Sequence, residues 1–266
     1  MSRQPRLQSQ NGIYHVMLRG VNRQQIFENE DDYRKFIFIL HDMISPKDEL
    51  RRPLPPRCII YSYCLMPNHV HLLIQEKEEK ISVIVKQIAS RYAIYYNGKY
   101  EHFGHLFQDR FKSEPCDNPE YFFTLFRYIH QNPVKAGLVK KAQDYEYSSW
   151  PNDYLGLGSE KVCYTRAAVN RFGMDELAAW VDEPLPEKVE CIDMDERKIV
   201  SDGTILDLLL EKSGTRSILE FQSQTKRRQK ELVRVVMTEL GVGPRQMSRV
   251  SGLSYNIVRA ITGTGF

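Results

Sequence analysis

The sequence predicts an α+β protein: an antiparallel-rich sheet with helices packed on it, followed by a small all-α module. Three observations carry that reading. Strand-like and helix-like stretches run in the order strand, helix, strand, strand, helix, strand, helix through the first half of the chain, which suits a split βαβ arrangement. The longest solid apolar stretch, Phe36–Leu40, falls far short of the ~20 apolar residues a spanning helix needs, so no membrane span is expected. The charge is +3 over 266 residues but unevenly spread: residues 226–266 hold eight bases against two acids, and residues 175–196 hold nine acids against one base.

The elements follow in order. Gly12–Arg19 alternates and is rich in strand formers, with a turn at Gly20-Val21-Asn22. Asp31–Ile44 has helical apolar spacing behind acidic residues that suit a helix N-terminus. Lys47–Pro56 is charged and carries Pro53, Pro55 and Pro56, so it reads as a loop. Cys58–Leu65 and His69–Gln75 read as a hairpin broken at Met66-Pro67-Asn68, and Ile81–Tyr96 as an amphipathic helix. Leu106–Ser113 reads as a fourth strand. Asn118 caps a helix with Pro119 just inside it, and Pro133 is expected to stop that helix at Gln131 or Asn132. Residues 140–180 read as irregular apart from a short helix near Asp175–Trp180. Glu183–Pro186 reads as a linker, and Thr204–Glu211 and Lys226–Leu240 as helices.

Composition narrows the class. With 42% hydrophobic and 27% charged residues the chain can bury a core without staples, which excludes a wholly disordered protein. The N-terminus is polar, with no apolar stretch of a secretory signal. Five cysteines, an odd number with no C-x-x-C spacing, read as reduced thiols of a cytoplasmic protein rather than a disulfide framework or zinc knuckle.

Two constellations carry chemistry. His69 and His71 flank Val70 on a strand, so both imidazoles leave one face. Two neutral imidazoles there can hold a divalent ion; the alternative is a pair of polar residues on a solvated sheet face. Tyr128 and Asn132 lie one helical turn apart on one face. Asn132 offers a carboxamide oxygen to a hard cation. Tyr128 offers a phenol, whose pKa of ~10 requires a nearby cation or base before it attacks well. Its alternative is an ordinary core tyrosine. Tyr121, two turns earlier, is the rival nucleophile and is expected to pack instead.

Four ordered segments then stand out: Tyr14-His15-Val16-Met17-Leu18-Arg19-Gly20, Tyr63–Leu73 around Pro67-Asn68-His69-Val70-His71, Gly104–Lys112, and Tyr128-Ile129-His130-Gln131-Asn132-Pro133 through Val139. Together they resemble the REP-associated tyrosine transposases, a branch of the single-tyrosine HUH transposases in the insertion-sequence transposase superfamily. Tyr145–Trp150 is similar to the family's closing segment. The resemblance covers roughly residues 10–155 and implies a ferredoxin-like (RRM-like) catalytic domain. It implies His69 and His71 as ligands of Mg²⁺ or Mn²⁺, Asn132 as the third ligand, and Tyr128 as nucleophile. Arg19, Arg110 and Lys112 become candidate phosphate contacts, and Tyr92, Tyr95 and Phe107 candidate stacking surfaces whose alternative is core packing. The implied reaction is cleavage and rejoining of single-stranded DNA near hairpins through a covalent 5′-phosphotyrosine.

At the C-terminus, Gly243–Val250, a turn at Ser251–Ser254 and Tyr255–Ile261 resemble a helix-turn-helix of the replication-initiator or Trp-repressor type. Met247, Val250, Leu253, Ile257, Val258 and Ile261 are its expected core. Ser254, Tyr255 and Asn256 are expected at base edges of duplex DNA, and Arg245, Arg249 and Arg259 at phosphates. The organisation read from the chain is therefore 1–155 catalytic, 156–200 irregular with an acidic linker, and 201–266 DNA-binding. A monomer and a homodimer are both open. The competing functional readings are a non-catalytic DNA-binding regulator and a metal-dependent RNA phosphodiesterase.

Overall fold

A computed structural model describes residues 6–108, 110–185, 191–192 and 200–262. The chain divides near residue 195 into two compact units, and each is described by itself. The first is mixed α+β, a four-stranded antiparallel sheet packed against helices; the second is all-helical. Among the described residues no helix is long and apolar enough to cross a membrane.

In the first unit the strands are β1 (Ile13–Arg19), β2 (Cys58–Met66), β3 (His69–Glu76) and β4 (Lys112–Pro115), in the order β2-β3-β1-β4. Helix α1 (Glu30–Ile44) follows β1 and α2 (Ile81–Tyr100) follows β3, as in a split βαβ unit. A capping box opens α1, in which the Asn29 side chain accepts from the third-residue N–H and Asp32 reaches back to Asn29 N–H. β2 and β3 form the expected hairpin, with one register shift between Ile60 and Ser62.

Strand alternation sorts the side chains. One face carries Val16, Leu18, Val70, Leu72 and Ile74, all buried. The other carries His15, Met17, Arg19, His69, His71 and Glu114. Helix α3 (Pro119–Lys135) packs on β2 and β3 against this second face. The sheet is therefore buried on both sides, and no histidine-bearing face is left in solvent.

Three expectations on these elements are corrected. The fourth strand is not Leu106–Ser113. Residues 106–108 follow the end of β1, with Val21 N–H donating to Leu106 O at 2.9 Å and Gln108 N–H to Arg19 O at 2.7 Å. Regular pairing resumes only at Lys112, so the pattern is two short contacts along one edge. Helix α3 does not stop before Pro133 but runs through it to Lys135. Proline removes only one N–H there, and Ala136 N–H still reaches Asn132 O at 2.9 Å. The stretch from 156 holds α4 (Arg166–Phe172) as well as α5 (Met174–Asp182), so it is not irregular. The Gln131 side chain donates to Val181 O at 2.5 Å and to Glu183 O, fastening α5 to α3. Pro186 and the acidic stretch beyond it, apart from Cys191 and Ile192, lie outside the described residues.

The segment Tyr145–Trp150 closes the open edge of β2. Leu65 N–H donates to Tyr147 O at 2.9 Å, and the Tyr145 hydroxyl to Leu65 O at 2.7 Å. Beneath it, fully buried His130 places Nε2 2.7 Å from the Ser149 hydroxyl, which also accepts from Tyr63 N–H at 3.0 Å.

The second unit comprises α6 (Asp202–Ser213), α7 (Ile218–Ser223), α8 (Lys226–Leu240), α9 (Pro244–Ser251) and α10 (Tyr255–Thr262). Its core gathers Ile205, Leu209, Phe221, Val233, Val236, Met247, Val258 and Ile261. Val250 and Leu253 pack against it as expected, but Ile257 is 37% exposed. The i, i+3 pair Val258 and Ile261 points α10 inward and turns Ile257 out. Gly252 (φ 67°) ends α9 in the left-handed region and allows the sharp entry into α10.

Burial pushes the pKa of His130 down to about 3. Below the ordinary histidine pKa of ~6.5 the unfolded chain takes up a proton that the folded chain refuses. Stability should therefore fall as pH drops from ~6.5 toward 3, by on the order of 3 kcal/mol at pH 4 at ~1.4 kcal/mol per pH unit. Thermal midpoints of wild type and His130→Gln measured from pH 7 to pH 4 check this. The variant should show the shallower decline.

Candidate active site

The hairpin turn before β3 is clamped from outside. Gly20 N–H donates to Asn68 O at 2.9 Å and Ile26 N–H to Pro67 O at 2.8 Å. A Cβ on Gly20 would meet Gln24 O at 2.3 Å, so the close approach needs glycine. This clamp sets Asn68, whose Oδ1 lies 2.6 Å from His69 Nδ1. An amide oxygen only accepts, so His69 Nδ1 carries the proton and the lone pair sits on Nε2.

His71 is fully buried two residues on, its ring 4.8 Å from that of His69 and nearly perpendicular to it. Its Nδ1 lies 2.9 Å from His15 Nε2, and its Nε2 is a buried atom with no hydrogen-bond partner among the described residues. Burial, followed by unfavourable electrostatics with His69, His15 and Lys135, holds the His71 pKa well below the ordinary histidine value, so the ring is neutral.

Helix α3 brings Tyr128 onto this cluster. Its ring centroid is 5.8 Å from that of His71 and 6.1 Å from that of His15, and the residue is 1% exposed. Asn132, buried one turn later, donates Nδ2–H to Tyr128 O at 2.9 Å, so its amide nitrogen serves the helix and its oxygen is the ligand-type atom. Lys135 Nζ stands 5.6 Å from the Tyr128 ring. Tyr121 is not poised as a nucleophile. Burial, and then Glu114 beside it, raises its pKa, and its hydroxyl is hydrogen-bonded to Glu114.

The donor set suits a divalent cation. It comprises two imidazoles, each with Nδ1 engaged, an orphaned Nε2 on His71, and a carboxamide oxygen on the facing helix. Among the described residues no group of three or more His, Cys, Asp or Glu side chains forms a metal cage. This set contains two such residues and an amide.

Residues 8–132 match the family model described as "Transposase IS200 like". That region is homologous to the IS200-like transposases. A Haemophilus influenzae protein that carries the provisional name of a REP-associated tyrosine transposase is 25% identical over 123 residues, 40% of this chain and 69% of its own. A REP-associated tyrosine transposase solved bound to a REP hairpin is 19% identical, covers 63% of this chain and 96% of its own, and superposes with a TM-score of 0.46.

In the transposase-like region the other sequence candidates scatter. Arg19 pairs in register with His69, and Lys112 with Met17, so both leave the sheet on the histidine face. Lys112 and Arg110 are exposed. Tyr92 is core, its hydroxyl donating to Ile26 O at 2.5 Å. Tyr95, partly buried, bonds Asp32 at 3.1 Å, and Phe107 is partly buried near Tyr92. Three residues at the cluster were given no role from sequence: His15, Glu114 and Lys135. Alternation along β1 could have flagged His15, and the i+7 spacing from Tyr128 could have flagged Lys135. Nothing local marks Glu114.

In the second unit Ser254, Asn256 and Arg259 are exposed. The Arg245 guanidinium lies over the Tyr255 ring at 4.5 Å. Arg249, expected at phosphates, makes a two-pronged ion pair with Asp202 at 2.6 and 3.0 Å. Burial alone would raise the Asp202 pKa, but hydrogen bonds from Arg249 and Gln246 hold it below the ordinary carboxylate value. Both partners are more than a third exposed, so Asp202→Asn should cost the second unit only about 1 kcal/mol. Hydrogen exchange of the α9 amides should detect the loss and show none in β1–β3.

Proposed function

We propose that the chain is a metal-dependent single-stranded DNA endonuclease and strand transferase that works through Tyr128. The observation that carries the reading is the buried, unsatisfied His71 Nε2 beside the Tyr128 ring. Homology of residues 8–132 to transposases supports a nuclease or strand-transfer activity in general. The strand order supports a ferredoxin-like class for the first unit.

In this reading His69, His71 and the Asn132 oxygen hold Mg²⁺ or Mn²⁺. When bound there, the cation would supply Lewis-acid polarisation of the scissile phosphate and would neutralise its developing charge. The Tyr128 oxygen forms a bond to phosphorus as the bond to the departing 3′ oxygen breaks. The phenolic proton passes to water, water supplies a proton to the departing 3′ oxygen to leave a 3′-hydroxyl, and the 5′ phosphate remains on the tyrosine. A 3′-hydroxyl attacks that linkage later and releases Tyr128, so the phosphodiester is conserved and no ATP is required. Lys135 stands where a cation favours the anionic oxygen. Arg19, Arg110 and Lys112 serve as backbone contacts. Because Tyr128 and His71 are buried, the substrate reaches them only when α3 or its flanking loops give way. The substrate class is single-stranded DNA beside hairpins, following the resemblance.

Residues 1–155 are taken as the catalytic domain and residues 201–266 as a helix-turn-helix for duplex DNA. In that module α9 supports α10, and Ser254, Tyr255, Asn256 and Arg259 face the groove. Arg245 buttresses Tyr255, and Arg249 secures the module internally.

Incubation with a hairpin-bearing single-stranded oligonucleotide and Mn²⁺ should yield an SDS-resistant 5′ adduct. Tyr128→Phe or EDTA should reduce that adduct below detection. An adduct that survives Tyr128→Phe removes the assigned nucleophile. Cleavage with no adduct replaces the reading with a water-driven phosphodiesterase. For the second unit, Arg259→Ala should weaken duplex binding across sequences and reduce the slope of log K against log salt by about one. Titrations at several salt concentrations measure it.

A further inference from the structure

His15 and Glu114 have no part in the chemistry above, yet they form a continuous polar chain to His71. β1 pairs with β4 so that His15 faces Glu114, and with β3 so that Met17 faces His71. His15 and His71 are thus diagonal neighbours on one sheet face, with rings stacked 5.2 Å apart at 20°. His15 Nδ1 lies 2.6 Å from Glu114 Oε1, and His15 Nε2 lies 2.9 Å from His71 Nδ1. Both rings are fully buried, whereas the Glu114 side chain is 22% exposed. The carboxylate is itself held: Ile192 N–H reaches both oxygens at 3.0 Å, and the Tyr121 hydroxyl bonds it.

The proton directions along this chain are constrained. A carboxylate only accepts, so His15 Nδ1 carries a proton toward Glu114. If His15 Nε2 also carried one, His71 Nδ1 would have to accept it, and the proton of neutral His71 would sit on Nε2. That nitrogen faces no acceptor among the described residues. The arrangement that leaves no N–H without an acceptor runs His71 Nδ1–H to His15 Nε2, and His15 Nδ1–H to Glu114. It leaves a bare lone pair on His71 Nε2.

We propose that Glu114 and His15 are positioning residues, a carboxylate–histidine relay that fixes the tautomer and aim of His71 as a metal ligand. The proposal rests on the reading of His71 as a ligand. The two ligands are then oriented in different ways. His69 is set locally by Asn68 in its own hairpin turn. His71 is set across three strands from the sheet edge, so the short β4 strand belongs to the site. Anchoring of this kind makes the ligating nitrogen more basic and holds its ring still; losing such a partner typically weakens metal binding roughly 10–100-fold.

Two measurements at one neutral pH test it. Long-range ¹⁵N–¹H NMR of the histidine rings in metal-free protein reads the tautomer directly. His71 is expected with its proton on Nδ1, and a proton on Nε2 overturns the relay. Calorimetric titration with Mn²⁺ then compares wild type, His71→Ala, Glu114→Gln and His15→Gln, with thermal melting as the folding control. Glu114→Gln keeps shape and an acceptor oxygen at a part-exposed position, so it remains informative if His15→Gln fails to fold. The expected result is no binding in His71→Ala and affinity roughly tenfold or more weaker in Glu114→Gln, with little change in melting. If His71→Ala abolishes binding while Glu114→Gln matches wild type, the relay is wrong and the metal site stands. If wild type binds no Mn²⁺, the metal reading fails and the relay falls with it.

Discussion

The first unit is organised by a single constraint: a sheet face that carries imidazoles is buried beneath a helix. Polar atoms placed out of water need partners or they destabilise the fold. Here most are supplied. Asn68 takes the Nδ1 proton of His69, His15 meets His71, and Glu114 closes the chain at the sheet edge. Among the described residues His71 Nε2, beside Tyr128, is one of the buried polar atoms without a partner.

The surrounding architecture serves that face. The loop after β1 grips the Pro67-Asn68 turn, and Gly20 permits the approach. The Tyr145–Trp150 segment completes the β2 edge and is tied to α3 through His130 and Ser149. Helix α5 braces the outer side of α3 through Gln131, with Arg127 over Trp180 and paired to Glu183. Since α3 carries Tyr128 and Asn132, these contacts fix where the proposed nucleophile stands. The second unit is built differently. Its helices enclose one apolar core, with the Arg249–Asp202 pair joining α9 to α6 at the surface.

Much of this was legible in the chain because the signals are local. The alternation in β1, β2 and β3, the Asn118-Pro119 start of α3 and the i, i+4 relation of Tyr128 and Asn132 depend on neighbouring residues only. The errors arose where a distant partner overrides local preference. Residues 106–108 have strand-like composition, but they meet β1 at its end and regular pairing restarts at Lys112. Pro133 is tolerated because it lies near the end of a helix already held against the sheet. Ile257 has the spacing of a core residue, but Val258 and Ile261 set the inward face of α10.

The sequence by itself determined the first three strands and the helices between them, the start of α3, the shared face of His69 and His71, and the shared helix face of Tyr128 and Asn132. These follow from strand alternation and helix pitch, which are properties of the backbone. Tertiary structure alone decided that α3 lies across the histidine face, that Tyr121 is tied to Glu114, that Arg249 is engaged by Asp202, and that His15 links Glu114 to His71. Those contacts join residues up to 113 positions apart along the chain, as between His15 and Tyr128. Register and packing bring them together, and neither is written in any short stretch of residues.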